Sequence, residues 1–228
     1  MTIYKELKER YPTKRLKTTG SSFRFKPIQN INVDRFLSYW QNADKFMWPG
    51  QPWYQGTGLH YNQNLDQRPY ASQVCGNYNN HQSYQDTLSF DTPLDNVITD
   101  TTIPYSFVRC KITEFSSQTL GRILSRNDDW HRDESPFEAL RVIIPLQTAP
   151  VYQLQLDNQL PVHLKFGYAY AFDQSQYHRV LSNGVSSTSR VHLILSVVTW
   201  YTKSNNQWHP NENFNKVHPL DVFDTISF

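Results

Sequence analysis

The stretch HRVLSNGVSSTSRVHLILSVV, residues 178–198, decides how the chain can fold. Two apolar runs, HRVLS and RVHLILSVV, are separated by the turn signal Asn183-Gly184. A hairpin with a two-residue loop there would pair His178 with Ser189 and Tyr177 with Arg190. Facing residues share a side of a sheet and neighbours alternate, so His178 and Arg190 would then point to opposite faces. If both serve one site, the connection is longer or bulged, or the chain crosses from one sheet to another as a jelly roll does.

Working outward, short strand-like segments surround this stretch. SFVRCKITEF (106–115) precedes it at a distance, with Phe107, Arg109, Lys111 and Thr113 on one side and Val108, Cys110, Ile112 and roughly Phe115 on the other. LGRILSR, ALRVIIPLQ, VYQLQL, VHLKF and YAYAF follow, with turn signals at Asp157-Asn158 and Gly167. No helical pattern interrupts the series, which excludes a parallel α/β sheet and predicts a mainly β sandwich, jelly roll or barrel over residues 105–200. Upstream, NVDRFLSYWQNADKF (32–46) is predicted helical, with Phe36, Tyr39 and Trp40 on one face and Asn32 or Asp34 as cap. Residues 47–100, rich in Pro, Gly, Asn, Gln and aromatics, are expected to form long loops over the scaffold. The expected organisation is one domain over 1–228: an N-terminal helix and loop region to 104, the β core over 105–200, and a C-terminal extension over 201–228.

Composition narrows the function. A formal net charge of +2 over 228 residues argues against a dedicated nucleic-acid binder. The basic residues of 5–26 read as a solvated face. No run of about twenty apolar residues is present, so no membrane span is expected. The opening MTIYKELKERYPTKRLK lacks the apolar stretch of a signal peptide, and Cys75 and Cys110 read most simply as free thiols, so a cytoplasmic protein is expected. Aromatic residues make up 14%, enough to serve a core and also line a small-molecule pocket.

The chemistry-bearing cluster lies in DDWHRDESPFEALRVIIPLQ, residues 128–147. In a strand, His131 and Asp133 would present an imidazole and a carboxylate to one side. His178 lies forty-seven residues on, at the start of another strand. Two histidines and a carboxylate make the facial triad of non-haem Fe(II) oxygenases: three ligands on one face of an octahedron, with the other positions left for a bidentate cosubstrate and oxygen. The same residues also fit a surface turn with a locally bonded His178. Arg190, twelve residues after His178, opens the most apolar strand. Pointing inward, it needs a partner, and a ligand carboxylate suits a bidentate guanidinium. His192 would share its face.

HRD at 131–133, RVIIPLQT at 141–148, GYAYAFDQSQYHRV at 167–180 and SRVHLIL at 189–195 resemble, in order and spacing, the 2-oxoglutarate/Fe(II)-dependent oxygenases. The resemblance covers residues 105–200. It is closest to the aspartyl/asparaginyl β-hydroxylase-like branch, which includes bacterial proline hydroxylases. It implies a double-stranded β-helix (a cupin-like jelly roll) with flanking helices and long loops. It implies Fe(II) held by His131, Asp133 and His178, and the far carboxylate of the cosubstrate 2-oxoglutarate held by Arg190. Arg141 matches an arginine that faces substrate or cosubstrate. The chain departs from the branch at Ile143, Ser196 and Tyr168-Ala169-Tyr170, positions that bear on the substrate. The implied reaction uses O2 to hydroxylate an unactivated C–H bond, with release of succinate and CO2.

A small amino acid or an amino-acid side chain is the expected substrate, with Arg141 on its carboxylate. Trp48, Trp53, Tyr54 and Tyr61, with His60, are candidates for a lid over it. The remaining histidines, and Glu134 and Asp129, read as ordinary structural or solvated residues. Two rival readings stand beside this one: a cupin-type metalloenzyme that does not use 2-oxoglutarate, and a metal-free jelly-roll binding module.

Overall fold

Arg190–Val198 is buried along its whole length, as a strand covered on both faces must be. It is the centre of the fold. The computed structural model describes residues 3–48, 51–59, 61–62, 88–89, 106–108, 110–116, 130–184, 186–205 and 207–228. In chain order these form α1 (Ile3–Arg10), β1 (Phe23–Pro27), α2 (Val33–Asn42), β2 (Phe46–Trp48), β3 (Gln51–Gly58), β4 (Tyr61–Asn62), β5 (Leu88–Ser89), β6 (Ser106–Phe107), β7 (Lys111–Phe115), β8 (Leu140–Gln147), β9 (Tyr152–Leu156), β10 (Tyr168–Phe172), β11 (His178–Ser182), β12 (Arg190–Val198), β13 (Tyr201–Ser204), β14 (Gln207–Pro210) and α3 (Pro219–Phe223).

Eight strands form one large antiparallel sheet in the order β1-β10-β8-β12-β7-β3-β2, with β6 also pairing β12. A small sheet pairs β11 with β9. From β8 to β12 the chain alternates between the two: large, small, large, small, large. This is the winding of a double-stranded β-helix, and the architecture is mainly β as the sequence predicts. It also answers the register question, because β11 and β12 lie in different sheets and are not a hairpin.

The two faces of the large sheet differ in chemistry. On one face, Val191, Leu193, Leu195 and Val197 of β12 join Val142 and Ile144 of β8, Ala169 and Ala171 of β10, and Phe36 and Trp40 of α2 in one apolar core. The other face looks toward the small sheet. There Ile143, Tyr170 and Phe172 pack on Leu154 and Leu156 of β9, and Phe115 meets Tyr152 edge-on at 5.8 Å. The same face carries Arg190, His192 and Ser196 of β12, Arg141 of β8, and Lys111 and Thr113 of β7, all buried. A jelly roll whose inner wall is this polar has somewhere to put a ligand.

The structure departs from the sequence reading at several places. Phe115 shares the face of Thr113 and pairs across with Arg190. α2 begins at its expected cap, Asn32 Oδ1 accepting from the Arg35 N–H at 3.1 Å, but ends at Asn42 rather than 46. β1, β2 and β3 extend the large sheet although no strands were expected before 104. β1 is short and embedded in basic sequence, and β3 (QPWYQGTG) is broken by Pro and Gly, so neither carries a clean alternation. In the C-terminal extension, Leu220, Phe223, Ile226 and Phe228 complete the apolar core beside α2. Among the described residues, no helix is long and apolar enough to cross a membrane.

Candidate metal centre

The backbone, before any side chain, sets His131 beside His178. Each N–H donates to the other's carbonyl at 3.0 Å, a single antiparallel bridge that widens the small sheet. Asp133 N–H then donates to the Gln174 carbonyl at 2.9 Å. The segment is one bridge rather than the expected strand, because a turn follows at once: Glu138 N–H closes on the Ser135 carbonyl at 2.8 Å around Pro136. Alternation across the bridge still holds. Arg132 lies 3.9 Å from the Tyr177 ring centroid and Arg179 4.4 Å from that of Trp130, on the side away from the ligands. These cation–π pairs clamp the outer face of the bridge.

His131, Asp133 and His178 converge. One ligand atom from each lies within 4.8 Å of the others. His178 Nε2 stands 3.4 Å from Asp133 Oδ2, and the two imidazole centroids are 4.4 Å apart. His178 Nδ1 is 2.9 Å from the Gln176 carbonyl. That contact requires a proton on Nδ1 and turns Nε2 toward Asp133, the orientation a metal-binding imidazole needs. Burial alone would raise the Asp133 carboxyl. The Arg141 guanidinium, a hydrogen bond from His178 and the two imidazoles overcome it and hold the group well below the usual carboxylate range. Two imidazole nitrogens and one ionised carboxylate, preset on neighbouring backbones, fit a borderline divalent ion such as Fe(II).

Arg141 differs from its expected role. Its Nη1 donates to Asp133 Oδ2, and its Nη2 lies 2.9 Å from both Oε1 and Oε2 of Glu134. The guanidinium thus rests on carboxylates of the protein itself rather than standing ready for a substrate carboxylate. Glu134, read as solvated, is 8% exposed at its side chain. The tight backbone path after Asp133 turns it back over the start of β8, where Arg141 offers a charge that makes its burial tolerable.

Arg190 lies at the far end of the inner wall. Cross-strand register puts Arg190, Phe115 and Tyr54 in one row and Ser196 and Arg141 in another. Six residues of β12 separate the rows, roughly 20 Å between backbones. The Arg190 guanidinium sits 5.6 Å from the Phe115 ring centroid. Between the rows lies His192, on the face of Arg190 as the sequence reading expects, among polar residues to which that reading gave no role. His192 pairs with Thr113, and neither His192 Nε2 nor Thr113 Oγ1 has a hydrogen-bond partner among the described residues. Burial first, then the charges of Arg190 and His163, push His192 down well below the ordinary histidine range, so its imidazole is neutral. Lys111, paired with Ile194, is 4% exposed. The signal available in the sequence was alternation of polar residues within segments apolar enough to be buried.

Tyr54 packs on Phe115 at 6.5 Å, in the Arg190 row. Trp53 lies in β3, and Trp48 and Tyr61 in β2 and β4. His60 and Asp129 lie outside the described residues. Of the other histidines, His163 Nδ1 is 3.0 Å from the Tyr152 carbonyl and His218 caps α3, both structural roles.

No known family profile matches the chain, and no curated protein is significantly similar to it. Among solved structures, an oxidoreductase of the 2OG-Fe(II) oxygenase family from Burkholderia pseudomallei aligns with 81% of this chain and 93% of its own, at 13% identity and a TM-score of 0.43.

Proposed function

We propose that the chain is an Fe(II)- and 2-oxoglutarate-dependent dioxygenase that hydroxylates an unactivated C–H bond. The supporting observation is the convergence of His131, Asp133 and His178 to within 4.8 Å, at an inner wall that also carries Arg190. His131, Asp133 and His178 hold the metal. Arg190 holds the far carboxylate of 2-oxoglutarate, in a charge-assisted bidentate pair suited to a buried guanidinium. Bound Fe(II), 2-oxoglutarate and O2 supply the oxidising chemistry, with succinate and CO2 released. The protein positions the reactants and excludes water: Phe172, whose ring centroid is 5.2 Å from that of His178, and Ile143 make the wall beside the ligands apolar.

The substrate in this reading is a small amino acid or an amino-acid side chain, of the aspartyl/asparaginyl or prolyl kind, with Tyr54 near it. Because Arg141 is engaged by Asp133 and Glu134, no substrate carboxylate is assigned to it.

The test is an anaerobic titration of the apo-protein with Fe(II) and then 2-oxoglutarate, read at the visible metal-to-ligand charge-transfer band. The band is expected only with both present, and not in Asp133→Ala. Metal binding without the band would favour a metalloenzyme that does not use 2-oxoglutarate. Absence of metal binding would favour a binding module. Product analysis over free amino acids and short peptides then assigns the substrate class, and turnover of peptides alone would remove the free amino acids.

A further inference from the structure

The polar cluster at the metal centre does not end with its three ligands. Asp133 and Glu134 are consecutive acids, and both bond one guanidinium, that of Arg141. The side chains of all three are 8–9% exposed, so water does little to screen their charges. Arg141 stands on β8 opposite Ser196, fixed by the large sheet, whereas Asp133 and Glu134 stand on the irregular segment before it. The ion pairs therefore tie the ligand-bearing segment to the rigid wall.

The arrangement has an electrostatic consequence. A guanidinium bonded to a metal ligand is a competitor: it occupies carboxylate lone pairs and repels a dication. Among the described residues, two acids meet this one arginine. Removing the charge of Glu134 takes away an anion that shares Arg141 with Asp133 and strengthens the hold of that arginine on Asp133.

We propose that Glu134 is a positioning residue for the metal centre: by sharing Arg141, it keeps that arginine as an orienting brace on Asp133 and prevents it from taking the carboxylate away from the metal. This rests on the reading of His131, Asp133 and His178 as metal ligands. It gives Arg141 and Glu134 a task in metal affinity instead of substrate recognition.

The measurement is the dissociation constant of Co(II), titrated into the apo-form of the full chain under anaerobic conditions and followed by its visible absorption. Wild type, Glu134→Gln, Arg141→Met, the double variant and Asp133→Ala are compared. Glu134→Gln is expected to weaken Co(II) binding roughly ten- to hundredfold, the usual scale for a group that orients a metal ligand. In the Arg141→Met background the same change is expected to shift the constant by less than about threefold, because the proposed effect of Glu134 runs through Arg141. The double variant replaces the ion pair by a neutral pair of similar size, which keeps the comparison on folded protein. A loss of folded material lowers the stoichiometry and leaves the constant alone.

An unchanged constant in Glu134→Gln, or the same shift in both backgrounds, overturns the brace. Asp133→Ala separates the two ideas. If it binds Co(II) like wild type, the metal reading fails and the brace with it. If it does not bind while the cycle is additive, only the brace fails.

Discussion

At the scale of single residues, the inner wall divides its cations by position. Arg141 meets acids of the protein, while Arg190 lies in another row of the sheet, beside the Phe115 ring. Arg190→Met is therefore expected to weaken 2-oxoglutarate binding by about ten- to a hundredfold, the worth of a charge-assisted pair, and to leave the Co(II) constant unchanged. Titration of 2-oxoglutarate into the metal-loaded protein checks it, and equal cosubstrate affinity would remove Arg190 from the site. His178 and Arg190 entered the reading through the order and spacing of the motifs and their resemblance to a known family, while the pairing of His131 with Asp133 was legible because period two fixes which side chains share a face. Glu134 was not, since an acid in a polar stretch before a turn looks solvated until its backbone path is known. The one hint was Arg141 itself: a cation opening a run as apolar as RVIIPL needs a nearby acid, and Asp133 and Glu134 are within eight residues.

At the scale of elements, the crossing between β11 and β12 does what a hairpin could not. His178 pairs with Leu156 in the small sheet, and Arg190 with Phe115 in the large one, so both can serve the space between. The face of each is set by its own sheet, not by the loop. One glycine inserted after Ser187 is then expected to change stability by less than about 1 kcal/mol, because loop closure depends weakly on length, and to leave Arg190-dependent binding of 2-oxoglutarate intact. One glycine inserted between Leu193 and Ile194, where the register with both β7 and β8 is unbroken, should unfold the sheet or abolish binding, since it sends every later side chain of β12 to the wrong face. Thermal melts and the 2-oxoglutarate titration read both, and a first insertion as damaging as the second would argue against the crossing. β8 to β12 could be read because their apolar runs are punctuated by Asp157-Asn158, Gly167 and Asn183-Gly184, whereas VHLKF forms only a single bridge, Val162 to Leu154, and LGRILSR lies outside the described residues. Asn158 and Gly167 take positive φ, at 58° and 84°, as such turns require. β1 and β3 owe their conformation to the sheet edges they pair with, which local sequence cannot announce.

At the scale of the whole molecule, the two ends of the sequence close the outer core. Arg24 of β1 and the segment before it hold α3: Thr18 Oγ1 donates to Asp221 Oδ1 at 2.6 Å, Thr19 N–H donates to Oδ2 at 3.0 Å, and Arg24 Nη2 lies 2.7 Å from Oδ1. Lys26 Nζ donates to the Asp224 carbonyl at 2.9 Å. Behind these contacts, Leu220, Phe223, Ile226 and Phe228 cover the apolar face of the sheet whose other face holds the candidate centre. Partial burial would raise the Asp221 carboxyl, but the hydrogen bonds from Thr18 and Thr19 and the charge of Arg24 prevail and hold it below its ordinary value. A carboxyl with a folded-state value below its unfolded one contributes stability that is complete above the unfolded value, near 4, and is lost as pH falls through the folded one. Asp221→Asn keeps the shape and removes the titration. The melting temperature of the variant is expected to lie below that of wild type by a constant gap from pH 8 to about 5, and the gap to narrow progressively below about pH 4 as wild type loses its advantage. Melts of the metal-free proteins across that range decide it. A gap as wide at pH 3 as at pH 7, or no gap at either, would mean that the charge of Asp221 plays no part in joining β1 and the segment before it to α3.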